Sequence, residues 1–423
     1  MAAAYGLLES NVLFGASALA TWIGVLFVVR LPSWDSAGPQ HIHFERTSRL
    51  GGAAVFFGYV IALGIALTQQ LIAILPALPL LIAALPVFVV GLWEDVAHRV
   101  PPRRRLLAAL VSAAVASAFA DGIVTRLDLP YVDGWLAYLP LAVPVTLFMV
   151  AGACNAFNII DGSHGLAGGT ALLSFFGIAI LAWNAGDDLV LAQAGAMLGA
   201  LVSFLLWNYP RGKVFLGDAG AYFIGFMYAQ LSIQLIARNT GISAWFVIAL
   251  AAYPIVEVLY SIYRRKMIRH TAAMQPDVLH LHSLLYVCVL LFAQRRTPGD
   301  RRESVWTCVY PSGERRRPMR GANARVAPLL WLHGCVCLAG ALYFHAATGA
   351  LISVICLYGG LYFLCYRSAV RLSGSGSGLQ MNNESSRAAK AVALGPSRAM
   401  EPPGATELPR AAERSTAQMG ASL

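Results

Sequence analysis

Acidic residues that could take part in metal-assisted chemistry stand in four short polar segments of this 423-residue chain. Glu94 and Asp95 are adjacent in GLWEDVAHRVPPRRRL, Asp161 lies in NAFNIIDGSHGLAGG, Asp218 lies in FLGDAG, and Asp277 lies in QPDVLHLHSLLY. Hard divalent cations such as Mg2+ take one or two carboxylates and complete their shell with water and substrate phosphates. Together the acids predict magnesium handling of phosphates, whereas capping of a helix is the simpler interpretation of any one of them alone.

Asp218 stands between Gly217 and Gly220, directly before a long apolar stretch. An aspartate at this position could cap the N-terminus of the following helix. It could also hold a metal ion while the same helix N-terminus attracts a phosphate group. The two roles are compatible, and both stay open.

Basic and imidazole side chains accompany the acids. Arginines at 99 and 103–105 follow the acid pair; they are anchors of membrane topology by default, although one guanidinium could reach a phosphate. In HLHS, His280 and His282 would lie on different sides of a helix. Helical zinc pairs are spaced four residues apart, so phosphate contacts suit these histidines better than zinc.

Glu257 lies inside an apolar stretch, close to the basic run 263–270. An acid within a membrane span is a functional candidate by default. An ion pair with the neighbouring basic run is an equally good structural interpretation, and the sequence leaves both open.

The elements that must position these side chains are membrane helices. The chain is 58% hydrophobic and only 12% charged, about half the charge of a typical soluble domain. Runs of roughly 17–25 apolar residues are long enough to cross a bilayer. They predict an all-α, polytopic membrane protein of about eleven transmembrane helices, near residues 6–29, 51–67, 71–92, 106–120, 137–154, 166–183, 189–207, 220–236, 242–262, 326–346 and 349–366.

The basic residues predict the orientation of the spans, because Lys and Arg concentrate in cytoplasmic loops. With the N-terminus outside, only Arg126 and Arg238 of the 31 basic residues fall in external loops. The net charge of +10 is spread along this inner face without interleaved aromatic residues. It therefore predicts attraction to anionic membrane lipids and no binding of nucleic acid.

The spans divide the chain into four regions. A transmembrane catalytic core covers residues 1–290, and a basic cytoplasmic segment follows at 291–325. Two C-terminal transmembrane helices lie within 326–370, and a cytoplasmic tail rich in Ser, Gly, Ala and Pro covers 371–423. This tail lacks an apolar period and is predicted to be disordered.

All the polar segments fall on the predicted cytoplasmic face. Five of them in order resemble the polyprenyl-phosphate N-acetylhexosamine-1-phosphate transferase superfamily over roughly residues 40–286, and most resemble the bacterial undecaprenyl-phosphate N-acetylglucosamine-1-phosphate transferases of glycosyltransferase family 4. The segments that carry the resemblance are RLGGAAVF, GLWEDVAHRVPPRRRL, NAFNIIDGSHGLAGG, FLGDAGAYFIG and HLHS.

The resemblance implies an enzyme of the bacterial inner membrane, a phosphoglycosyltransferase. It would transfer an N-acetylhexosamine-1-phosphate from a UDP-sugar to undecaprenyl phosphate, releasing UMP and initiating synthesis of a surface polysaccharide such as O-antigen or a cell-wall glycan. The implied cofactor is Mg2+, with Mn2+ as the alternative. The oligomeric state stays open, with a homodimer as one alternative.

Residue roles follow from the matching motifs. Asp218 would be the metal ligand, and Asp95, Glu94 and Asp161 would form the catalytic acid set, with Asp95 and Glu94 orienting or deprotonating the lipid phosphate. The implied substrate-binding residues are Asn155, Asn158, Arg49, Arg105, His280 and His282.

Three positions depart from the family pattern. Glu94 stands where many members have Asp, His164 replaces an acid or Asn in DGxxGLA, and HLHS lacks a third His. The last departure disfavours the alternative of a phospho-MurNAc-pentapeptide transferase of peptidoglycan synthesis. A transporter of lipid-linked sugars, the alternative from another class, should carry its polar groups near the bilayer midplane, whereas here they lie at one surface.

Overall fold

The computed structural model describes residues 2–31, 47–69, 76–268, 279–294 and 323–373. The helices are α1 (Ala2–Val28), α2 (Gly51–Thr68), α3 (Ala77–Ala97), α4 (Pro102–Phe119), α5 (Pro130–Leu136), α6 (Leu139–Ile159), α7 (Leu166–Ala185), α8 (Asp188–Asn208), α9 (Gly217–Arg238), α10 (Ala244–Leu250), α11 (Ala252–Tyr263), α12 (Leu281–Gln294), α13 (Val326–Tyr343) and α14 (Thr348–Leu372). Across these ranges there is no strand, only an isolated parallel bridge between Ser48 and Val214. The predicted all-α class is confirmed.

Nine helices of the described chain are long and apolar enough to span a membrane, and ten if the bent pair α10 and α11 counts as one span. The chain is therefore a multi-pass membrane protein. The remaining predicted span, 106–120, is the helix α4, whose first turn carries Arg103, Arg104 and Arg105. The predicted span 242–262 is broken at Ala251, where α10 and α11 meet at 78°.

Helix ends follow local chemistry. The segment after α3 turns at His98, which has a φ of 52°, and Pro102 then starts α4 at the position where a helix needs no N–H. At the far end of α7, Gly186 adopts a φ of 71°. Asp187 then caps α8, because its carboxylate accepts a hydrogen bond from the N–H of Val190.

Helix α9 lies at the centre of the bundle. Its apolar stretch is entirely buried, and it contacts α2, α3, α4, α6, α7 and α8. A β-carbon on Gly52 of α2 would come within 2.2 Å of the Gly220 backbone, and one on Gly91 of α3 within 2.6 Å of the Ala219 backbone. Such close approach of backbones is how membrane helices gain packing energy without a hydrophobic driving force.

The segments that carry the predicted site residues meet at one end of this bundle. We call this end, where residues 48–52, 94–105, 158–165 and 209–218 come together, the site end. Arg126 and Arg238 lie at the opposite end, where Arg126 donates to the carbonyl of Ile242 and Arg238 pairs with Asp187. This distribution agrees with the separation of charge in the sequence.

The C-terminal helices complete the fold. Helix α13 packs on α7 and α10, and α14 packs on α10, α11 and α12. Asp277, most of the predicted basic segment and almost all of the predicted disordered tail lie outside the described residues.

Candidate active site

The site is organised around the start of α9. The segment before it runs beside the segment before α2, since the N–H of Phe215 donates to the carbonyl of Ser48 at 2.8 Å and the N–H of Gly51 donates to the carbonyl of Phe215 at 2.9 Å. This short parallel pairing carries Arg49 to the N-terminus of α9. It joins two segments that are more than 160 residues apart in sequence.

Asp95 caps α9 from the end of α3. Its Oδ1 accepts from the N–H of Asp218 and its Oδ2 from the N–H of Ala219, both at 2.8 Å. Gly217 has a φ of 72°, and a β-carbon there would lie 2.6 Å from the Asp95 carboxylate. The first turn of α9 can approach Asp95 this closely because position 217 is glycine.

Asp218 is buried and is surrounded by donors. Its Oδ2 accepts from Nη1 of Arg105, and its Oδ1 accepts from Nδ2 of Asn158 at 3.1 Å. Nη2 of Arg49 lies 3.6 Å from the same Oδ1, and Nε of Arg49 lies 3.6 Å from Oδ1 of Asp95. Both guanidinium groups retain exposed surface, so they can turn from a carboxylate to an incoming phosphate.

Asp161 belongs to the same cluster. It accepts from the N–H of Gly217 and interacts electrostatically with Asp95, Asp218 and Arg49. Burial raises the pKa of Asp161 well above its ordinary value, the two neighbouring carboxylates add to the shift, and Arg49 opposes it. Burial of Asp161 beside two other carboxylates therefore favours its neutral form when no cation is bound.

Glu94 and Asn155 lie at the edge of the cluster. Oε2 of Glu94 accepts from the N–H of Val100 at 2.7 Å, which holds the turn between α3 and α4. Oδ1 of Asn155 accepts from the hydroxyl of Tyr222 at 3.2 Å. Tyr222 was not predicted as a site residue; its position one turn after Asp218 in GDAGAYF is the signal that could have identified it.

Two further residues fasten the loop that contains Asp161. Asn208 accepts from the N–H of Gly165 at 2.6 Å and donates to the carbonyl of Val214 at 2.7 Å.

Nδ1 of His164 lies 3.2 Å from the carbonyl of Pro210. Burial lowers the pKa of His164 below its ordinary value, and the hydrogen bond to Pro210 opposes the shift. His164 therefore connects two loops. Asn208 was not predicted as a site residue; its place as the polar last residue of an apolar helix is the signal that could have identified it.

The histidines of HLHS lie at the start of α12. His280 precedes the helix and His282 lies in its first turn, so the two do not form a helical pair of the kind that binds zinc. The two rings are parallel within 3°, with centroids 5.5 Å apart. A β-carbon on Gly162 would lie 2.3 Å from Nε2 of His282, which places this ring against the Asp161 loop.

Glu257 is paired with His280. Its Oε1 lies 2.9 Å from Nδ1 of His280, and its Oε2 accepts from the hydroxyl of Tyr362 at 3.0 Å. The N–H of Leu281 donates to the same carboxylate at 3.2 Å. Glu257 therefore orients the histidine segment.

The donor set suits a hard cation that keeps part of its shell for substrate. Within the described ranges, no three His, Cys, Asp or Glu side chains converge as a complete metal site. The oxygens of Asp95 accept from backbone N–H groups of a helix, whereas those of Asp218 accept from side chains that can turn away, so Asp218 and Asp161 are the candidate ligands. Two carboxylates supplemented by water and phosphate oxygens are the environment that Mg2+ accepts.

Comparison with known proteins gives a consistent result. The model of the family described as glycosyl transferase family 4 matches residues 77–236. The chain is 27% identical over 272 residues to a probable undecaprenyl-phosphate N-acetylglucosaminyl 1-phosphate transferase of Bacillus subtilis (strain 168), covering 61% of this chain and 70% of the relative.

Two other relatives show the range of similarity. A phospho-N-acetylmuramoyl-pentapeptide-transferase of the same strain is 30% identical over 239 residues, covering 52% of this chain and 72% of the relative. An undecaprenyl-phosphate alpha-N-acetylglucosaminyl 1-phosphate transferase of Escherichia coli (strain K12) is 32% identical over 168 residues. That alignment covers 37% of this chain and 45% of the relative, less than half of its length.

Proposed function

Because this chain belongs to glycosyl transferase family 4, a family of membrane phospho-sugar transferases, we propose that it transfers an N-acetylhexosamine-1-phosphate from a UDP-sugar to undecaprenyl phosphate. An oxygen of the lipid phosphate forms a bond to the phosphorus that carries the sugar. The diphosphate bond of the UDP-sugar breaks, and UMP leaves. The product is a lipid-linked sugar diphosphate.

One observation carries this proposal: Asp218 lies at the N-terminus of the buried helix α9 with Arg49, Arg105 and Asn158 around it. Helix N-termini and guanidinium groups both favour phosphate oxygens. Phosphoryl transfer requires positioning and neutralisation of charge more than covalent chemistry from the protein. The cluster offers cationic groups for a diphosphate and carboxylates for a cation within one compact region.

Mg2+ is the proposed cofactor, with Asp218 as its main ligand and Asp161 as the second carboxylate; Mn2+ has the same preference for oxygen ligands. When bound, the cation would neutralise charge on the phosphoryl oxygens. Arg105 and Arg49, released from Asp218, would contact the diphosphate. Asn158, Asn155 and the two histidines would complete the nucleotide-sugar pocket.

The acid pair divides into two tasks in this proposal. Asp95 is buried, and both of its oxygens accept hydrogen bonds from the first turn of α9, which supports a role in holding Asp218 in place. Glu94 is half-buried and interacts electrostatically with Arg105. It is the member of the pair that we assign to orienting the lipid phosphate.

We place the site at the cytoplasmic face of the bacterial inner membrane, with the N-terminus outside. The distribution of arginines supports this orientation, because Arg126 and Arg238 lie together at the end opposite the site. A UDP-sugar would then reach the site from the cytoplasm, and the lipid substrate would reach it from the inner leaflet. The product would enter synthesis of a surface polysaccharide.

A second candidate function is transfer of a phospho-N-acetylmuramoyl-pentapeptide. The 30% identity to the B. subtilis enzyme of that name, over 72% of its length, favours it. The absence of a third histidine in HLHS favours the simpler sugar. A transporter is not supported, because the charged cluster lies at the helix ends and not at midspan.

The test is to incubate the purified full-length protein with undecaprenyl phosphate and separate UDP-sugars, including UDP-MurNAc-pentapeptide, and to weigh the lipid product by mass spectrometry. Formation of a lipid diphosphate carrying an N-acetylhexosamine, with stoichiometric UMP, supports the proposal. A product formed only from UDP-MurNAc-pentapeptide supports the second candidate. Absence of any lipid product would overturn both.

A further inference from the structure

Helix α14 reaches the histidine segment of the site from outside the region that the family model covers. That region ends at residue 236, whereas α14 spans Thr348–Leu372. Much of α14 faces outward, but Tyr362 is only 3% exposed and points into the bundle. Its hydroxyl donates to Oε2 of Glu257 at 3.0 Å.

Glu257 connects Tyr362 to His280. The carboxylate is fully buried, and each oxygen has its own side-chain donor, Tyr362 on Oε2 and Nδ1 of His280 on Oε1. A buried carboxylate is stable only when its lone pairs are satisfied. Removing the hydroxyl of Tyr362 would leave Oε2 with one weaker donor, the N–H of Leu281, so the carboxylate could rotate away from His280.

The orientation of His280 depends on this carboxylate. Because Glu257 can only accept, Nδ1 of His280 carries the proton and Nε2 is left for a ligand. A carboxylate on the far nitrogen is a common device for fixing both the tautomer and the ring direction of a functional histidine. The ring of His282 is parallel to that of His280, 5.5 Å away, and lies against Gly162 in the Asp161 loop. Rotation of His280 would therefore disturb the packing of His282 on this loop.

We propose that Tyr362 is a positioning residue of the active site, which acts through Glu257 to hold His280 in the orientation that contacts the substrate phosphates. The C-terminal helix pair is then a functional part of the enzyme and not only a membrane anchor. This inference rests on the proposed function, because His280 matters only if the site binds a phosphate-containing substrate.

A separate contact of the same helix pair supports this role. Asn323, directly before α13, accepts from the N–H of His164 at 3.2 Å. On α13, the indole of Trp331 lies where a β-carbon on Gly169 or Gly165 would be, within 2.2 and 2.9 Å respectively. The C-terminal pair thus supports both the Asp161 loop and the histidine segment.

The experiment is a double-mutant cycle on kcat/KM for lipid product formation, using the full-length protein, a UDP-sugar that the wild type accepts, and undecaprenyl phosphate. Tyr362→Phe should lower kcat/KM roughly tenfold, the lower end of the loss seen when a partner orienting a histidine is removed. In a His280→Ala background the same change should have almost no further effect, because the residue it positions is gone. Glu257→Gln should behave like Tyr362→Phe in both backgrounds.

Tyr366→Phe is the matched control. Tyr366 lies one turn further along α14, and its hydroxyl accepts from Arg264 at 2.9 Å, so its removal should leave kcat/KM within about twofold of the wild type. Thermal unfolding of each variant checks the fold. Three results would overturn the inference. The losses of kcat/KM in Tyr362→Phe and His280→Ala could multiply in the double variant, Tyr362→Phe could be as active as the wild type, or Tyr366→Phe could lose as much activity as Tyr362→Phe. Failure of the wild type to form any lipid product would instead refute the proposed function.

Discussion

Asp95 at the end of α3 caps the helix whose second residue is Asp218. Its two oxygens accept from the N–H groups of Asp218 and Ala219, each at 2.8 Å. Two acids separated by 123 residues in sequence are therefore joined side chain to backbone, and Arg49 lies 3.6 Å from both carboxylates. The position of the proposed metal ligand depends on a carboxylate that is itself saturated with hydrogen bonds.

Asp95→Asn tests this dependence. The amide can accept with only one atom, so one N–H of α9 would face another donor. We expect the free energy of unfolding to fall by about 2 kcal/mol and kcat/KM to fall at least tenfold, since Asp218 loses its position. Thermal unfolding in detergent and the lipid-product assay measure the two effects.

Asp187→Asn is the control for that variant. Asp187 also caps a helix, accepting from Val190 and pairing with Arg238, but at the end opposite the site. The Asp187→Asn variant should lose a similar amount of unfolding free energy, about 1–2 kcal/mol, and keep its activity. Equal losses of activity in both variants would show that Asp95 acts on stability alone.

Asp218→Asn should nearly abolish turnover while the protein stays folded. The amide can keep the contact with Asn158 but lacks the charge that binds a cation and pairs with Arg105. We expect kcat to fall by roughly 10²–10³-fold, as when a main electrostatic group is removed from an active site. Initial rates of UMP release measure this, and activity within a few-fold of the wild type would contradict the assignment.

Gly52→Ala should destabilise the bundle, because the new methyl group would lie 2.2 Å from the Gly220 backbone and force α2 away from α9. We expect a loss of about 2–3 kcal/mol, as for overpacked cores. Gly64→Ala on the same helix is the matched control, since no atom of another described segment lies within 4 Å of the position of its β-carbon. Its unfolding temperature should be close to that of the wild type, and equal effects of the two substitutions would contradict the close approach.

His164 should make stability depend on pH in mild acid. Its pKa is lowered in the folded protein, so well above about pH 6.5 it is neutral in both states and contributes no pH dependence. Below that, the unfolded chain binds a proton that the folded chain does not, and stability falls as the pH drops towards the lowered pKa. In His164→Gln the unfolding temperature should fall less between about pH 7 and pH 5.5; an unchanged slope would contradict this role.

Removal of divalent cations should abolish turnover. Asp161 and Asp218 are the carboxylates that we propose as ligands of the cation, and phosphoryl transfer needs neutralisation of charge on the phosphoryl oxygens. Addition of a chelator should stop UMP release, and Mg2+ or Mn2+ added in excess should restore it. Full activity under complete chelation would remove the metal from the proposal.

Much of the fold could be predicted from the sequence because a membrane span is specified by the apolar residues of its own segment. A run of apolar residues long enough to cross a bilayer predicts a helix whatever surrounds it, since every backbone group must be satisfied within the segment. The all-α class and the helices that contain Gly51–Thr68 and Leu166–Ala185 were recovered in this way. The break at Ala251, where the helices meet at 78°, was not predicted. Its local signal is Pro254, which has no N–H to donate to the carbonyl of Leu250.

The sequence by itself determined which acids, arginines and histidines cluster at the helix ends, and Asp95, Asp161 and Asp218 do converge. Only the tertiary structure decided what each one contacts: Asp95 caps α9, His280 is hydrogen-bonded to Glu257, and Tyr362 donates to the same carboxylate. Hydrogen bonds between residues far apart in sequence depend on how each helix is rotated and tilted. The rotation of each helix is set by close packing of small residues such as Gly52 and Gly220. A hydropathy pattern does not predict this rotation.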